Sequence, residues 1–89
     1  MELSGKIKME KLKETVVKGY EKDIEIVITQ FKKSYKGVNI YTVCSELKYS
    51  GQLFDIIEFN ITFNKKKSER YFSMLESRYQ EERLKRKFF

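Results

Sequence analysis

The stretch Leu53–Asn64, with the sequence LFDIIEFNITFN, has the clearest regular pattern in the chain. Apolar side chains alternate with polar ones: Ile57, Phe59, Ile61 and Phe63 against Glu58, Asn60 and Thr62. Successive side chains of a strand point to opposite faces of a sheet, so this alternation predicts a half-buried β-strand. The fold therefore contains a sheet, and the flanking segments determine what packs on it.

The segment after this strand predicts a helix that runs almost to the C-terminus. Asn64 is a residue type that caps helix N-termini, and no Pro or Gly follows Lys65 to interrupt a helix. Phe72, Leu75 and Tyr79 recur at three- and four-residue spacing and form one apolar stripe. We expect this stripe to contact the sheet.

Two further strands are predicted upstream of Leu53. They are marked by the alternating residues Ile24, Ile26 and Ile28 and by the β-rich run Val38–Cys44. The polar segment Lys32–Gly37 and the tripeptide Tyr49–Gly51 are typical of turns that join strands into hairpins. Together these elements form a three-stranded antiparallel meander.

The N-terminal segment has the spacing of a helix. Its apolar residues are Met9, Leu12, Val16, Val17 and Tyr20, which predict a helix over about residues 6–18 that ends at Gly19. The 89 residues leave room for one core, so we expect a single domain over residues 1–89. The predicted fold class is α+β: a two-layer α-β-β-β-α arrangement with both helices packed on one face of the sheet.

The opposite sheet face is then left open. It would carry Val27, Phe31, Tyr41, Val43, Phe54 and Ile56. A surface this apolar predicts a homodimer or a protein partner, with Phe54 and Ile56 among the partner-binding residues. The alternatives are a strand register that differs from the predicted one, or a terminal segment that folds over this face.

The composition excludes most catalytic classes. The chain has no His and one Cys, so the usual zinc sites and the Ser-His and Cys-His nucleophile pairs cannot form. Its four glycines stand singly, and there is no glycine-rich phosphate loop. Cys44 is expected to be a buried, unreactive thiol. We predict no enzymatic activity, no catalytic residues, no metal and no cofactor.

The same features bear on location. The apolar runs, such as Ile26–Ile28, are far shorter than the roughly twenty residues of a membrane-spanning helix. The N-terminal residues lack the apolar stretch of a secretory signal, and a single cysteine cannot form an internal disulfide. We expect a cytoplasmic protein without a membrane span.

Basic residues give the strongest functional signal. The net charge is +6, and residues 65–89 carry nine basic and four acidic groups. In an antiparallel meander, the first turn and the exit from the third strand lie at the same end. This brings together two lysine groups, namely Lys32, Lys33 and Lys36 with Lys65, Lys66 and Lys67. The second group opens a helix, where unpaired amides and the macrodipole favour anions.

We therefore predict that these lysines, with Arg70, contact the phosphate backbone of DNA or RNA, and that Tyr35 stacks on a base or enters a groove. The alternative is ordinary solvated charge. A second basic group lies at the C-terminal end, where Leu84, Arg86, Phe88 and Phe89 are predicted partner-binding residues. Basic residues in the last turns of a helix also complement its dipole without any functional role.

The predicted layout resembles the double-stranded RNA-binding domain, which shares the α-β-β-β-α order. The run Asn64–Ser68, NKKKS, resembles in position the lysine cluster that opens the last helix of that family. The Gly-Pro and His signature of the family's first turn is absent. Tyr71 and Phe72 also stand where the family favours alanine. The resemblance covers topology and one lysine run.

The sequence thus predicts a small, non-enzymatic binding protein, most simply a nucleic-acid-binding accessory or regulatory protein. The alternative is a protein-interaction module, such as an inhibitor or adaptor encoded by a phage or mobile element. Such a module would dock by the apolar sheet face or the C-terminal helix.

Overall fold

In the computed structural model, the chain forms four antiparallel strands and one helix. The structure describes residues 8–19 and 21–85, with side chains as far as Glu81. The elements are β1 (Lys8–Lys18), β2 (Ile24–Tyr35), β3 (Val38–Tyr49), β4 (Gln52–Thr62) and α1 (Lys65–Lys85). The strands pair in the order β1-β2-β3-β4, so the chain forms a meander. We call the side of the sheet that contacts α1 the helix face and the other side the open face.

The predicted N-terminal helix is wrong, because these residues form β1 and pair with β2. The register shifts between Lys11 and Lys13, which marks a β-bulge. Lys11 lies on the open face, whereas Lys13 lies on the helix face with its Nζ 5.0 Å from the centre of the Phe72 ring. Because the bulge interrupts the period of two, the apolar residues of this segment fall at a spacing that mimics a helix.

The predicted fold class is corrected accordingly. The chain is an α+β protein with four strands and a single helix, not three strands with two helices. An edge strand stands where the first helix was expected, so the α-β-β-β-α order is absent. The layout on which the resemblance to the double-stranded RNA-binding domain rested is therefore not present.

Both predicted hairpins are present, but their turns are two residues long, and Lys32–Tyr35 of the predicted first turn belong to β2. Lys36 and Gly37 connect β2 to β3, with φ values of 49° and 79°. Ser50 and Gly51 connect β3 to β4, with φ values of 54° and 82°. Two successive positive φ values define a type I′ turn, whose twist matches that of the strands it joins. These turns fix the register of the three strands they connect.

The core lies between α1 and the helix face. Its buried members are Val17, Ile28, Val43, Phe72, Leu75 and Tyr79. The apolar stripe predicted for the C-terminal helix is thus confirmed, and Phe72 and Leu75 are fully buried. Asn64 is confirmed as the N-cap, because its Oδ1 accepts a hydrogen bond from the backbone N of Lys67 at 3.0 Å.

Two buried polar contacts fix the position of the helix on the sheet. Gln30 Nε2 donates a hydrogen bond to Ser68 Oγ at 2.7 Å, and Ser68 Oγ in turn donates to the carbonyl of Lys65 at 2.8 Å. About three turns further along α1, Tyr79 Oη lies 3.2 Å from Ser45 Oγ. Sliding the helix along the sheet would leave these buried groups without partners, which costs free energy.

The Gln30–Ser68 contact leads to a stability prediction. Ser68→Ala removes the acceptor of Gln30 Nε2, so we expect the free energy of unfolding to fall by about 1–3 kcal/mol. Ser73→Ala is the matched control, because Ser73 is an exposed residue of the same helix. Its effect should stay within about 0.5 kcal/mol. Chemical denaturation followed by circular dichroism measures both, and equal effects would contradict a role for this contact.

Candidate nucleic-acid interface

The β2–β3 turn and the start of α1 lie at the same end of the sheet. Thr62, the last residue of β4, pairs with Tyr41, and Tyr41 pairs on its other side with Lys32. Only two residues separate Thr62 from Lys65, where α1 begins. The lysines of the turn region and those of the helix N-terminus therefore share one end of the molecule.

This end, formed by residues 8–13, 30–43 and 60–71, carries ten basic and two acidic side chains. We call it the lysine-rich end. Its basic residues are Lys8, Lys11, Lys13, Lys32, Lys33, Lys36, Lys65, Lys66, Lys67 and Arg70. The described side chains of the other half, in residues 14–29, 44–59 and 72–81, include four basic and nine acidic groups.

This separation of charge runs along the length of the molecule. The molecule measures 48 × 28 × 15 Å. A strand of the length of β2 spans roughly 40 Å, so the strands follow the longest dimension. Among the described side chains, which extend to Glu81, basic groups therefore predominate at one end of the long axis and acidic groups at the other.

The basic groups of the lysine-rich end are mostly exposed, with only Lys32 half-buried. The described side chains form three ion pairs, and only Lys11–Glu14, at 3.2 Å, involves this end. Lys36 Nζ lies 5.4 Å from the centre of the Tyr35 ring. Within the described residues, most of these cations therefore have no carboxylate partner.

The first turn of α1 adds backbone donors to this end. It contains no acidic residue. The backbone N–H groups of Lys65 and Lys66 have no carbonyl acceptor within the helix, and the positive end of the helix dipole lies here. Three ammonium groups in this turn oppose the dipole, which is unfavourable for helix stability by itself. An anion bound at this position would remove that conflict.

An open groove of about 480 Å³ lies between β4 and α1 at the lysine-rich end. It is lined by Asn60, Ile61, Thr62, Lys67, Arg70, Tyr71 and Met74. Lys67 and Arg70 are three residues apart and so lie on the same side of the helix. Burial, followed by the negative charge of Glu58, raises the pKa of the Tyr71 phenol, which stays protonated at neutral pH. The groove thus offers several hydrogen-bond donors that suit phosphate oxygens.

The structure brings together the sequence-predicted lysines but adds groove residues that the sequence did not indicate. Asn60 and Thr62 had been interpreted only as the polar side of a strand. The alternation of these two residues with apolar ones predicts a strand. It does not indicate that a helix lies beside them. Tyr35, 36% exposed, lies beside the β2–β3 turn and borders a shallow apolar depression with Val38 and Ile40.

The open face differs from the predicted one. Tyr41 and Val43 are buried on the helix face, so placing them on the open face is wrong. Ile56 does lie on the open face, where it pairs with Glu46, and Phe54 is 72% exposed next to a register shift in β4. Of the predicted C-terminal group, the side chain of Leu84 and all of Arg86, Phe88 and Phe89 lie outside the described residues.

Phe59 and Ile61 also lie on the open face, where they pair with Cys44 and Thr42. The reason is a second bulge: the register shifts so that Ile57 has no partner on β3. An unpaired residue interrupts the alternation of side chains between the two faces. Residues on either side of it that are an odd number of positions apart then lie on the same face.

Other kinds of site find little support in residues 8–19 and 21–85. No cluster of three or more potential metal-ligating side chains occurs there. No helix in this part of the chain is both long and apolar enough to cross a membrane. Arg78 and Glu58 form a hydrogen-bonded ion pair that raises the pKa of Arg78, and this pair lies outside the lysine-rich end.

The environment of Cys44 leads to a prediction about its reactivity. Burial, followed by the negative charge of Glu46, raises the pKa of this thiol. The thiolate is the reactive form, so we expect native protein to react with Ellman's reagent much more slowly than denatured protein at the same pH. Spectrophotometric rates measure this difference. Reaction of the native thiol as fast as that of a free cysteine peptide would contradict the expected burial.

Comparisons with known proteins give no independent guide to function. The chain matches no protein-family model, no curated protein and no solved structure at significant similarity. Its function must therefore be argued from its own residues.

Proposed function

We propose that this chain is a nucleic-acid-binding accessory or regulatory protein that contacts phosphates through the lysine-rich end. The separation of charge carries the proposal. This end has ten basic side chains and two carboxylates, whereas the described remainder has four basic side chains and nine carboxylates. A clustered positive field of this kind attracts polyanions and is the usual electrostatic signature of nucleic-acid binding.

The groups at this end suit a phosphate backbone better than base edges. Ammonium groups act as mobile point charges, and the helix amides and Arg70 provide directed hydrogen bonds. Such contacts position a protein on nucleic acid but carry no sequence information. Tyr35 offers one aromatic surface near them. The proposed binding is thus largely independent of sequence.

Binding of this kind depends steeply on salt. Each neutralised phosphate releases condensed counterions, which gives a slope of about −0.9 in a log–log plot for duplex DNA and about −0.7 for single strands. If Lys33, Lys36, Arg70 and the three lysines of the first helical turn each neutralised one phosphate, the slope on duplex DNA would be about −5.

A protein-interaction module is the second candidate. The observation that favours it is the exposed apolar surface of β4, which phosphate binding does not explain. The two proposals use different parts of the molecule, so separate variants can test them.

The nucleic-acid proposal is tested by neutralising lysines at opposite ends of the molecule. One variant carries Lys65→Gln, Lys66→Gln and Lys67→Gln. The matched control carries Lys18→Gln, Lys22→Gln and Lys48→Gln, which lowers the net charge equally. Fluorescence anisotropy with labelled duplex DNA, single-stranded DNA and RNA at several salt concentrations gives the affinities and slopes.

We expect the helix variant to lose at least about tenfold in affinity at low salt and to show a slope on duplex DNA that is less steep by about 2–3. The control should stay within about twofold of wild type, because its lysines lie far from the proposed interface. Equal losses in both variants would indicate a simple effect of net charge. Absence of wild-type binding to all three probes in low salt would rule the proposal out.

A further inference from the structure

A strip of apolar side chains on β4 is exposed on the open face. We call it the apolar strip, and it consists of Leu53, Ile56, Phe59, Ile61 and the following residue Phe63. Each is more than half exposed, from 52% for Ile56 to 71% for Phe63. The strip contains no charged side chain. The two acidic residues of β4, Asp55 and Glu58, pair with Leu47 and Ser45 and lie on the helix face.

The two edge strands of the sheet, β1 and β4, differ in their content of lysine. Exposed lysines on an edge strand discourage pairing with other chains. The β1 edge carries four of them, Lys8, Lys11, Lys13 and Lys18. The β4 edge, from Gln52 to Thr62, has none. β1 thus has the features of a solvent-facing edge, whereas β4 combines an edge without lysine, interrupted by two register shifts, with an apolar surface.

We propose that the apolar strip packs against the same strip of a second copy of this chain. From their exposed fractions, the five side chains present roughly 550 Å² per copy, or about 1,100 Å² for two copies. Specific interfaces bury more than about 1,000 Å² in total. Stable complexes bury about 1,200–2,000 Å² in total, so the strip, even when wholly buried, supplies most of this area and the adjoining open face must supply the rest.

The remainder of the open face is mixed in character: Glu46 and Lys48 lie beside the strip, and the exposed apolar residues Met9 and Val16 lie on β1. Val27, Thr29, Thr42 and Cys44 lie along its centre and are already buried. On β1 and β2, two ion pairs border the face, Lys11–Glu14 at 3.2 Å and Lys18–Glu25 at 2.7 Å. An apolar centre with a polar rim is the usual anatomy of a protein interface.

The charge separation favours a second copy as the occupant. Consider a two-fold axis that lies in the plane of the interface and runs perpendicular to the strands. It places β4 of one copy over β4 of the other, with the two strands running in opposite directions. The lysine-rich end of each copy then lies beside the acidic end of the other. A molecule with opposite charges at its two ends is thus electrostatically complementary to a copy that runs in the opposite direction. The strip between these ends carries no charge and adds no repulsion.

The oligomeric state of the full chain tests this inference. Sedimentation equilibrium from low to high micromolar concentration should show the mass rising from the monomer value of 10.8 kDa toward twice that value. Phe59→Lys and Ile61→Lys should each weaken dimerisation at least tenfold. Tyr49→Lys is the matched control, because Tyr49 is 55% exposed on the helix face of β3, on the other side of the sheet. It should leave the dimerisation constant within twofold of wild type.

Circular dichroism checks that each variant is folded. If Phe59→Lys unfolds, the mass of the wild-type chain and the dimerisation constant of Ile61→Lys still decide the outcome. A wild-type chain that stays monomeric at every concentration overturns the proposal. Equal loss of dimer in all three variants would place the interface elsewhere.

Discussion

The packing of Phe72 and Leu75 against Ile28 and Val43 decides which side of the sheet is covered. Both sheet faces are apolar enough to be buried, yet the described chain supplies one helix. The covered face is the one on which Gln30 and the Ser45 hydroxyl lie, and α1 provides partners for both. Apolar burial therefore supplies most of the stability. The polar contacts fix the position of the helix on that face, because each would be costly to leave unsatisfied.

The position of the helix also creates the charge separation. The link between β4 and α1 is so short that the helix must begin where β4 ends, beside the β2–β3 turn. Its three N-terminal lysines are thereby held at the end where Lys32, Lys33 and Lys36 lie. Among the described side chains in the later turns of α1, Glu76 and Glu81 are acidic and Arg78 is basic, so this part of the helix adds one net negative charge. One connection thus determines both the core and the electrostatic polarity.

The sequence predicted those features whose signals are local and regular. Three strands, two turns and the C-terminal helix follow from alternation, glycine positions and the Asn64 cap. β1 was missed because its bulge imitates helical spacing, and the exposure of Phe59 and Ile61 was missed because the bulge at Ile57 reverses their phase. A bulge depends on how two strands fit each other, which one strand's pattern does not show. The grouping of the lysines was foreseeable from topology, whereas the groove at Asn60 and Thr62 required the position of α1.

The two proposed surfaces are compatible and together constrain what a dimer would do. The apolar strip reaches the lysine-rich end at Ile61, on the open face, whereas α1, which carries Lys65, Lys66, Lys67 and Arg70, packs on the helix face. With strand directions reversed, the two lysine-rich ends of a dimer would lie at opposite ends of its long axis, at most about the 48 Å length of the molecule apart. If both proposals hold, a dimer presents two lysine-rich ends, and occupation of one end by nucleic acid would raise the effective concentration of another segment of that molecule at the other end.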